Sequence, residues 1–140
     1  MRRLFLALAV AGAAAVTAAP AASAKSTCSV PDEPAWHSCL SARHIALDDG
    51  NAKLTRATPA LVIRLDGPCP AHLARRTVVL RTKKGKRLAR TKVKGHCHKD
   101  VARYRVNLRL DRELPRTTVI RSYWSGIADD KVAPKVSLRD

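Results

Sequence analysis

The chain has 140 residues, and its 27 Lys and Arg against 11 Asp and Glu give a formal net charge of +16. This length predicts a single domain with a modest core rather than several domains. The charge predicts attraction to polyanions such as nucleic acid, an anionic cell-wall polymer or an acidic protein face, unless it serves only to keep the surface solvated.

Residues 1–24 have the layout of an export signal. Two arginines precede an apolar run, residues 4–16, that is too short to span a bilayer, and Ala22-Ser23-Ala24 is a small-x-small cleavage site. Sec export is favoured over the twin-arginine route, because the flanking Ser/Thr and the following Lys of that signal are missing. The secreted chain, residues 25–140, is then a single domain that starts at Lys25. It loses two arginines and no acid, which lowers the charge to +14, and it has no second apolar stretch for a membrane anchor.

Four cysteines in a short exported chain predict two disulfides. Three pairings are possible, and we favour Cys28–Cys39 with Cys69–Cys97 because each pair closes one local segment. By the loop-entropy model, the bridge across the longer segment stabilises the fold by roughly 3–4 kcal/mol. The rival interpretation is a metal site at His96-Cys97-His98, but no Cys-x-x-Cys spacing accompanies it and export oxidises thiols. We therefore expect neither a metal nor a cofactor.

The first half of the secreted chain consists of extended segments separated by turns. Residues 25–34 contain Pro and Ser and are expected to be extended, either as a strand donated to a partner or as a pinned terminus. Residues 38–47 fit a short helix or a strand. Asp48-Asp49-Gly50-Asn51 predicts a tight reversal, after which residues 52–56 form the returning strand. Residues 60–65 alternate in polarity and predict a further strand.

A basic hairpin follows. Residues 77–82 and 87–93 are rich in β-branched residues and alternate in polarity, and a glycine between them suits a turn with positive φ. This turn places Leu80 opposite Ala89 on the apolar face. The other face is expected to be mostly basic, and Leu88 is expected to lie on it beside the cations. The cations of the hairpin that are predicted to contact a partner are Lys83, Lys84, Lys86, Arg87 and Arg90.

The strand at residues 101–110 has the cleanest alternation in the chain. The alternate apolar residues from Ala102 to Leu110 are predicted to face the core, which turns three arginines outward. At the rise of a strand, Arg105 and Arg109 lie roughly 13 Å apart, so the arginines form a ladder rather than a point site. The ladder is either a flat anion-binding surface or the wet face of an antiparallel strand. Its members are Arg103, Arg105 and Arg109.

The head of this strand carries the pattern Asp-x-Ala-x-Tyr at residues 100–104. The pattern resembles the tyrosine corner of immunoglobulin-like sandwiches, in which the tyrosine hydroxyl bonds to the upstream backbone and fixes the strand entry. The resemblance implies that role for Tyr104. Beyond these residues the chain departs from antibody-type domains, because Val106 replaces their second cysteine and no Trp lies between Cys69 and Cys97.

Two further strands are predicted near the end of the chain. Residues 117–125 alternate in polarity, and residues 131–138 contain Pro134, which favours an edge strand. Seven or eight short strands with turns between them predict an all-β fold. We therefore expect an immunoglobulin-like antiparallel β-sandwich with two disulfides.

The signal, the size, the cysteine count and the extended segment together resemble the small adaptor component of actinobacterial umbrella toxin particles. In that family the adaptor bridges a lectin-bearing, trypsin-like subunit and a large toxin subunit. The resemblance implies a secreted protein partner, and it implies that residues 25–34 insert into that partner.

The sequence contains no Ser nucleophile elbow, Gly-rich phosphate loop or His-Glu-x-x-His helix. A protease inhibitor would present the disulfide-braced loop at residues 67–76, with exposed Arg75 and Arg76, to a trypsin-like enzyme. A secreted ribonuclease needs a general acid and base near a cation, and no candidate pair has a diagnostic spacing. Among the candidate groups for such acid–base chemistry, His44 is expected to be half-buried or at the surface. The candidate groups are His37, His44, His72, His96, His98, Glu33 and Glu113.

We therefore expect a secreted, non-catalytic adaptor that links protein partners in an extracellular assembly, such as a toxin particle. The alternatives are a protein that binds an anionic cell-surface polymer, a serine-protease inhibitor and a secreted ribonuclease. Specific nucleic-acid recognition is not expected, because few aromatic side chains are available for stacking. The cations of the hairpin and of the ladder are the predicted electrostatic contacts, and residues 25–34 are the predicted protein contact.

Overall fold

The computed structural model describes residues 22–29, 35–127 and 133–139. Most of the predicted export signal, residues 30–34 with Glu33, and the start of the last predicted strand lie outside this range. Within it the chain forms ten β-strands and no helix. The strands are β1 (Ala22–Ser29), β2 (Trp36–Ala46), β3 (Asn51–Arg64), β4 (Arg76–Thr82), β5 (Arg87–Val93), β6 (His96–His98), β7 (Val101–Arg105), β8 (Leu108–Pro115), β9 (Val119–Trp124) and β10 (Lys135–Ser137).

The ten strands form two antiparallel sheets. The large sheet has the order β1-β2-β3-β7-β6, with β8 also paired to β3, and the small sheet has the order β10-β9-β4-β5. The predicted all-β antiparallel sandwich with two disulfides is confirmed. The strand number exceeds the expected seven or eight, because the three residues of β6 are too few for alternation to reveal and the strand expected at residues 101–110 is split into β7 and β8.

The segment at residues 38–47, which fits a helix or a strand by sequence, belongs to β2. The predicted reversal at Asp48-Asp49-Gly50-Asn51 connects β2 to β3. Gly50 has a φ of +80°, and the Leu47 N–H donates to the Asn51 carbonyl (2.9 Å). The positive φ explains why glycine stands at this position.

The strands expected at residues 52–56 and 60–65 are one continuous strand, β3, which passes through Pro59. Proline lacks the N–H that a central strand donates to its neighbour. The Pro59 carbonyl accepts a hydrogen bond from the Val106 N–H (3.3 Å), so the missing donor points to the same side. On that side β3 changes its partner from β8 to β7, and the ladder is already interrupted there. Pro59 therefore removes little pairing.

The core lies between the two sheets. Leu40 and Leu54 of the large sheet pack in one cluster with Leu80 and Ile120 of the small sheet, and all four are fully buried. Burial of each such side chain contributes roughly 1.5–3 kcal/mol. His44 is also fully buried, so the expectation of a half-buried or surface position is wrong. It lies on the inward side of β2, where alternate residues point into the core.

The basic hairpin forms from β4 and β5, with Gly85 at a φ of +94° in the turn. Leu80 pairs with Ala89 as predicted. The prediction for Leu88 is wrong, because its side chain is buried in the core instead of lying on the basic face. The register shifts between Leu80 and Arg81, and this bulge-like irregularity turns Leu88 inward.

Both disulfides have the favoured pairing. Cys28 and Cys39 lie directly opposite each other on β1 and β2, so this bridge pins the edge strand of the large sheet. Cys69–Cys97 joins the loop after β3 to β6 and thereby closes the segment that contains the hairpin. The predicted cleavage point after Ala24 lies inside β1, and the part of β1 beyond it stays paired with β2.

Tyr104 is buried, and its hydroxyl donates a hydrogen bond to the Ala74 carbonyl (2.8 Å). This acceptor lies 30 residues upstream, in the loop before β4. In a tyrosine corner the acceptor lies only a few residues upstream of the tyrosine. The bond therefore ties the loop between β3 and β4 to β7, and it does not fix the entry of β7 itself.

Candidate functional site

The three arginines of the predicted ladder share the outer face of the large sheet. Arg103 and Arg105 lie on β7, Arg109 lies on β8, and all three side chains are exposed. The strand is interrupted at Val106 and Asn107, yet the alternation continues because β7 and β8 both pair with β3. Alternation in the sequence therefore predicted the face of these side chains correctly.

Further arginines lie on this face and were missed by the sequence analysis, and two of them align with Arg109. Arg43 of β2 is directly opposite Arg56 of β3, and Arg56 is directly opposite Arg109 of β8. We call these three residues the arginine row. Neighbouring strands are about 4.8 Å apart, so the row is compact. Local alternation signals that Arg43 is exposed, but the alignment of the row depends on strand register, which no local pattern encodes.

No carboxylate forms an ion pair with the arginine row within the part of the chain that the structure describes. On β8, the Asp111 carboxylate binds the Lys53 ammonium (2.9 Å), and Glu113 accepts from the Asn51 side-chain amide (3.0 Å). Like charges directly opposite on neighbouring strands destabilise a sheet, by a few tenths to about 1 kcal/mol per pair. The row therefore lowers the stability of the free protein.

A shallow cleft of about 240 Å³ lies beside the arginine row. Arg43, Arg56 and Arg105 line it, together with Thr58 and Asn107, and so does Ala24, which the predicted cleavage would remove. The Thr58 hydroxyl donates to Asn107 Oδ1 (2.8 Å), which orients the amide. Arginines from three different strands, β2, β3 and β7, thus line one cleft.

The cations of the hairpin form a second basic surface, the hairpin tip. The Lys83 N–H donates to the Val119 carbonyl (2.8 Å), which anchors the tip against β9. A groove of about 280 Å³ separates the tip from Leu114, Pro115 and the following threonines, and three lysines of the tip line it. The hairpin tip belongs to the small sheet and the arginine row to the large sheet, so the two are separate basic surfaces. Its exposed cations are Lys83, Lys84, Lys86 and Arg87, and Arg90 is exposed further along β5.

The outer face of the small sheet is also basic. Arg81 lies directly opposite Arg121, and Arg121 lies opposite Lys135 of β10. The Arg81 guanidinium stacks over the Tyr123 ring, 5.9 Å from its centre. Positive charge is therefore present on both outer faces of the sandwich.

The histidines considered for acid–base chemistry are mostly apart. His44 is buried, and His37 is exposed on β2. His72 and His96 line one open cleft of about 380 Å³ with Lys94, beside the second disulfide. Among the described residues, no group of three or more His, Cys, Asp or Glu is placed to hold a metal ion.

The loop considered as a protease bait differs from expectation at Arg76. Arg75 is exposed, but Arg76 begins β4 and is half-buried. Its Nη1 donates to the Ser125 carbonyl (2.7 Å), and its guanidinium lies 5.6 Å from the centre of the Tyr104 ring. The body of the sandwich therefore holds Arg76, and only Arg75 of the pair is freely accessible.

The fold and its surfaces define a small basic β-sandwich with two disulfides, which fit an oxidising compartment. No family model matches the chain, and comparison with curated proteins and with solved structures finds no significant match. In the part of the chain that is described, no helix is long and apolar enough to cross a membrane. The function must therefore follow from the residues of this chain.

Proposed function

We propose that this protein is a secreted, non-catalytic binding protein whose ligand is an anionic polymer of the cell surface. The observation that carries the proposal is the arginine row, Arg43, Arg56 and Arg109, which crosses three strands without an ion-pair partner among the described residues. Aligned like charges lower the stability of the fold. A bound polyanion converts the same charges into attractive contacts, so ligand binding is the physical benefit of the arrangement.

A linear polymer suits this face better than a compact ligand. Arg103, Arg105 and the arginine row extend over neighbouring strands of one sheet, so successive charged groups of a polymer can contact successive arginines. Proteins that bind single-stranded nucleic acid add exposed aromatic side chains on which bases stack. Tyr104 and Trp124 are instead buried, Trp36 packs against the core, and the half-buried Tyr123 lies on the small sheet under Arg81. The surface therefore favours a polymer held through its charges, such as a cell-wall polymer.

The test is a binding titration with poly(glycerol phosphate) on two variants of equal charge. R43Q/R56Q/R109Q removes the arginine row, and R87Q/R90Q/K92Q removes three exposed cations of β5. A cation near an anionic surface contributes about 1 kcal/mol, so the row variant should bind roughly 100-fold more weakly at low salt. Its free energy of unfolding without ligand should be unchanged or higher, because the cross-strand repulsion is removed.

The matched variant decides whether this face or the net charge governs binding. Equal weakening of both variants would contradict the assignment to the arginine row, and unchanged binding of the row variant would contradict the proposal as a whole. Salt gives a second measurement. The slope of log K against log salt should become shallower by about two to three units in the row variant, since fewer counterions are released.

An adaptor role in an extracellular assembly, such as a toxin particle, is the second candidate, and the position of β1 favours it. β1 lies at the edge of the large sheet, and its outer side has no neighbouring strand among the described residues. The Cys28–Cys39 bridge holds this edge against β2, and Thr27 Oγ1 donates to the Lys135 carbonyl (2.6 Å). Exposed edge strands pair readily with strands of other proteins. Residues 25–34 are therefore the proposed protein contact.

A further inference from the structure

We propose that the cleft lined by Arg43, Arg56 and Arg105 is a discrete site for one tetrahedral oxyanion, a phosphate or sulfate ester group of the bound polymer. The site deepens the proposed function and rests on it. The arginine row attracts any polyanion by its charge. The cleft selects the chemical group that the polymer carries.

The cleft offers hydrogen-bond donors to a ligand. Arg43 and Arg56 lie directly opposite each other, and Arg105 lines the same cleft from β7. Thr58 donates to Asn107 Oδ1 (2.8 Å), so that oxygen is occupied and the Asn107 amide nitrogen keeps its protons for another acceptor. No acidic side chain lines the cleft. A deprotonated oxyanion, which only accepts hydrogen bonds, is the complement of this set.

A tetrahedral oxyanion fits these donors better than a carboxylate. A carboxylate is planar, and a single guanidinium satisfies it with two parallel hydrogen bonds. Three arginines that line one cleft offer more N–H donors than the two oxygens of one carboxylate can accept. A phosphate or sulfate group has oxygens that point in different directions, so Arg43, Arg56, Arg105 and Asn107 can bind it together.

The site is tested by NMR titration of the whole protein with inorganic sulfate, inorganic phosphate and acetate at constant ionic strength. Sulfate and phosphate should shift the Asn107 side-chain amide and the Arg56 Nε–H signals saturably. Acetate should bind about 10-fold more weakly or less, because it engages fewer of the donors. R56Q and R105Q should each weaken sulfate binding by about 10-fold or more, since each removes a charge-assisted hydrogen bond.

Two further variants separate the cleft from the general charge of the face. R109Q removes a member of the arginine row that does not line the cleft, and it should retain sulfate binding within about 3-fold. N107D keeps the acceptor for the Thr58 hydroxyl but replaces the amide donor with a carboxylate. It should abolish sulfate binding, because the ligand then meets a like charge.

Equal, unsaturable shifts with all three anions would overturn the discrete site, and so would equal weakening by R109Q and R56Q. Titrations with poly(glycerol phosphate) and with a sulfated polysaccharide identify the source of the ester, and tighter binding of either one through Arg105 supports the site. If inorganic anions find no site while the polymer still binds through the arginine row, the cleft assignment is wrong and the proposed function stands. If polymer binding is also insensitive to R43Q/R56Q/R109Q, the proposed function is wrong as well.

Discussion

Tyr104 is tightly enclosed by its neighbours in the core. Its ring lies 6.0 Å from the Trp124 ring and beneath the Arg76 guanidinium, and its hydroxyl donates to the Ala74 carbonyl. Gly95 closes one side of this environment. A Cβ at Gly95 would lie 2.6 Å from the Tyr104 ring. The Leu73 side chain is equally close, so any side chain at this position must displace Leu73 and the Tyr104 ring or shift the backbone.

We expect G95A to lower the free energy of unfolding by about 1–3 kcal/mol, which is the usual cost of overpacking. Gly67 provides the control, because a Cβ there meets nothing within 4 Å and its φ is not positive. G67A should stay within about 0.5 kcal/mol of the parent. Urea unfolding followed by Trp fluorescence measures both midpoints at a common m value. Equal midpoints would contradict the close approach of Gly95 to Tyr104.

The two disulfides act on different elements. Cys28–Cys39 joins only β1 to β2 at the edge of the large sheet. Cys69–Cys97 closes a segment that contains the whole β4–β5 hairpin, and its sequence separation is 28 against 11 for the first bridge. In the loop-entropy model the longer loop is stabilised more, by roughly 3.5 against roughly 3 kcal/mol.

Replacing Cys69 and Cys97 with Ser should lower the free energy of unfolding by roughly 3–4 kcal/mol and reduce hydrogen-exchange protection throughout the core. Replacing Cys28 and Cys39 should lower the free energy of unfolding by roughly 3 kcal/mol and, in addition, increase exchange in β1 more than elsewhere, because β1 pairs with β2 alone. Each double variant serves as the control for the other. If exchange in β1 rose no more than exchange in the core in the Cys28/Cys39 variant, the local effect expected at the sheet edge would be contradicted.

Positive charge on the whole molecule covers both outer faces and the hairpin tip, in keeping with the net charge of +16. Such a distribution attracts polyanions over about one Debye length, which is about 8 Å at physiological salt. Salt therefore discriminates between the two proposed functions. Binding of an anionic polymer weakens steeply as salt rises, whereas a packed protein interface does not.

A pull-down with the tagged protein from native culture fluid and cell-wall fraction tests this difference. We expect an anionic polymer to be captured at about 0.05 M salt and largely released at about 0.2 M. The R43Q/R56Q/R109Q protein is the control bait and should capture less polymer. A stoichiometric protein that survives the high-salt wash, and that is lost when residues 25–34 are deleted, would favour the adaptor and contradict a polymer as the sole ligand.

Alternation within single segments predicted most strands, and turn residues predicted the reversals at Gly50 and Gly85, because both signals depend only on neighbours along the chain. It failed where distant strands decide the outcome. β3 runs through Pro59 because its partner changes at that point, and Leu88 turns inward because the hairpin register shifts. His44 is buried because the ambiguous segment is a strand whose inner face is covered by the small sheet. None of these partners is local in sequence.

The class of the protein, a small basic all-β domain with two disulfides, follows from the sequence alone. Cysteine count, strand period and net charge can all be read without knowing which strands pair. The candidate site follows from the fold. The exposed arginines of β7 and β8 are visible in one alternating segment, but Arg43 and Arg56 join Arg109 only through the register of β2, β3 and β8. That register is set when the sandwich closes and each strand buries its apolar side. Tertiary pairing therefore converts a general positive charge into an aligned row, whose repulsion the proposed anionic ligand would relieve.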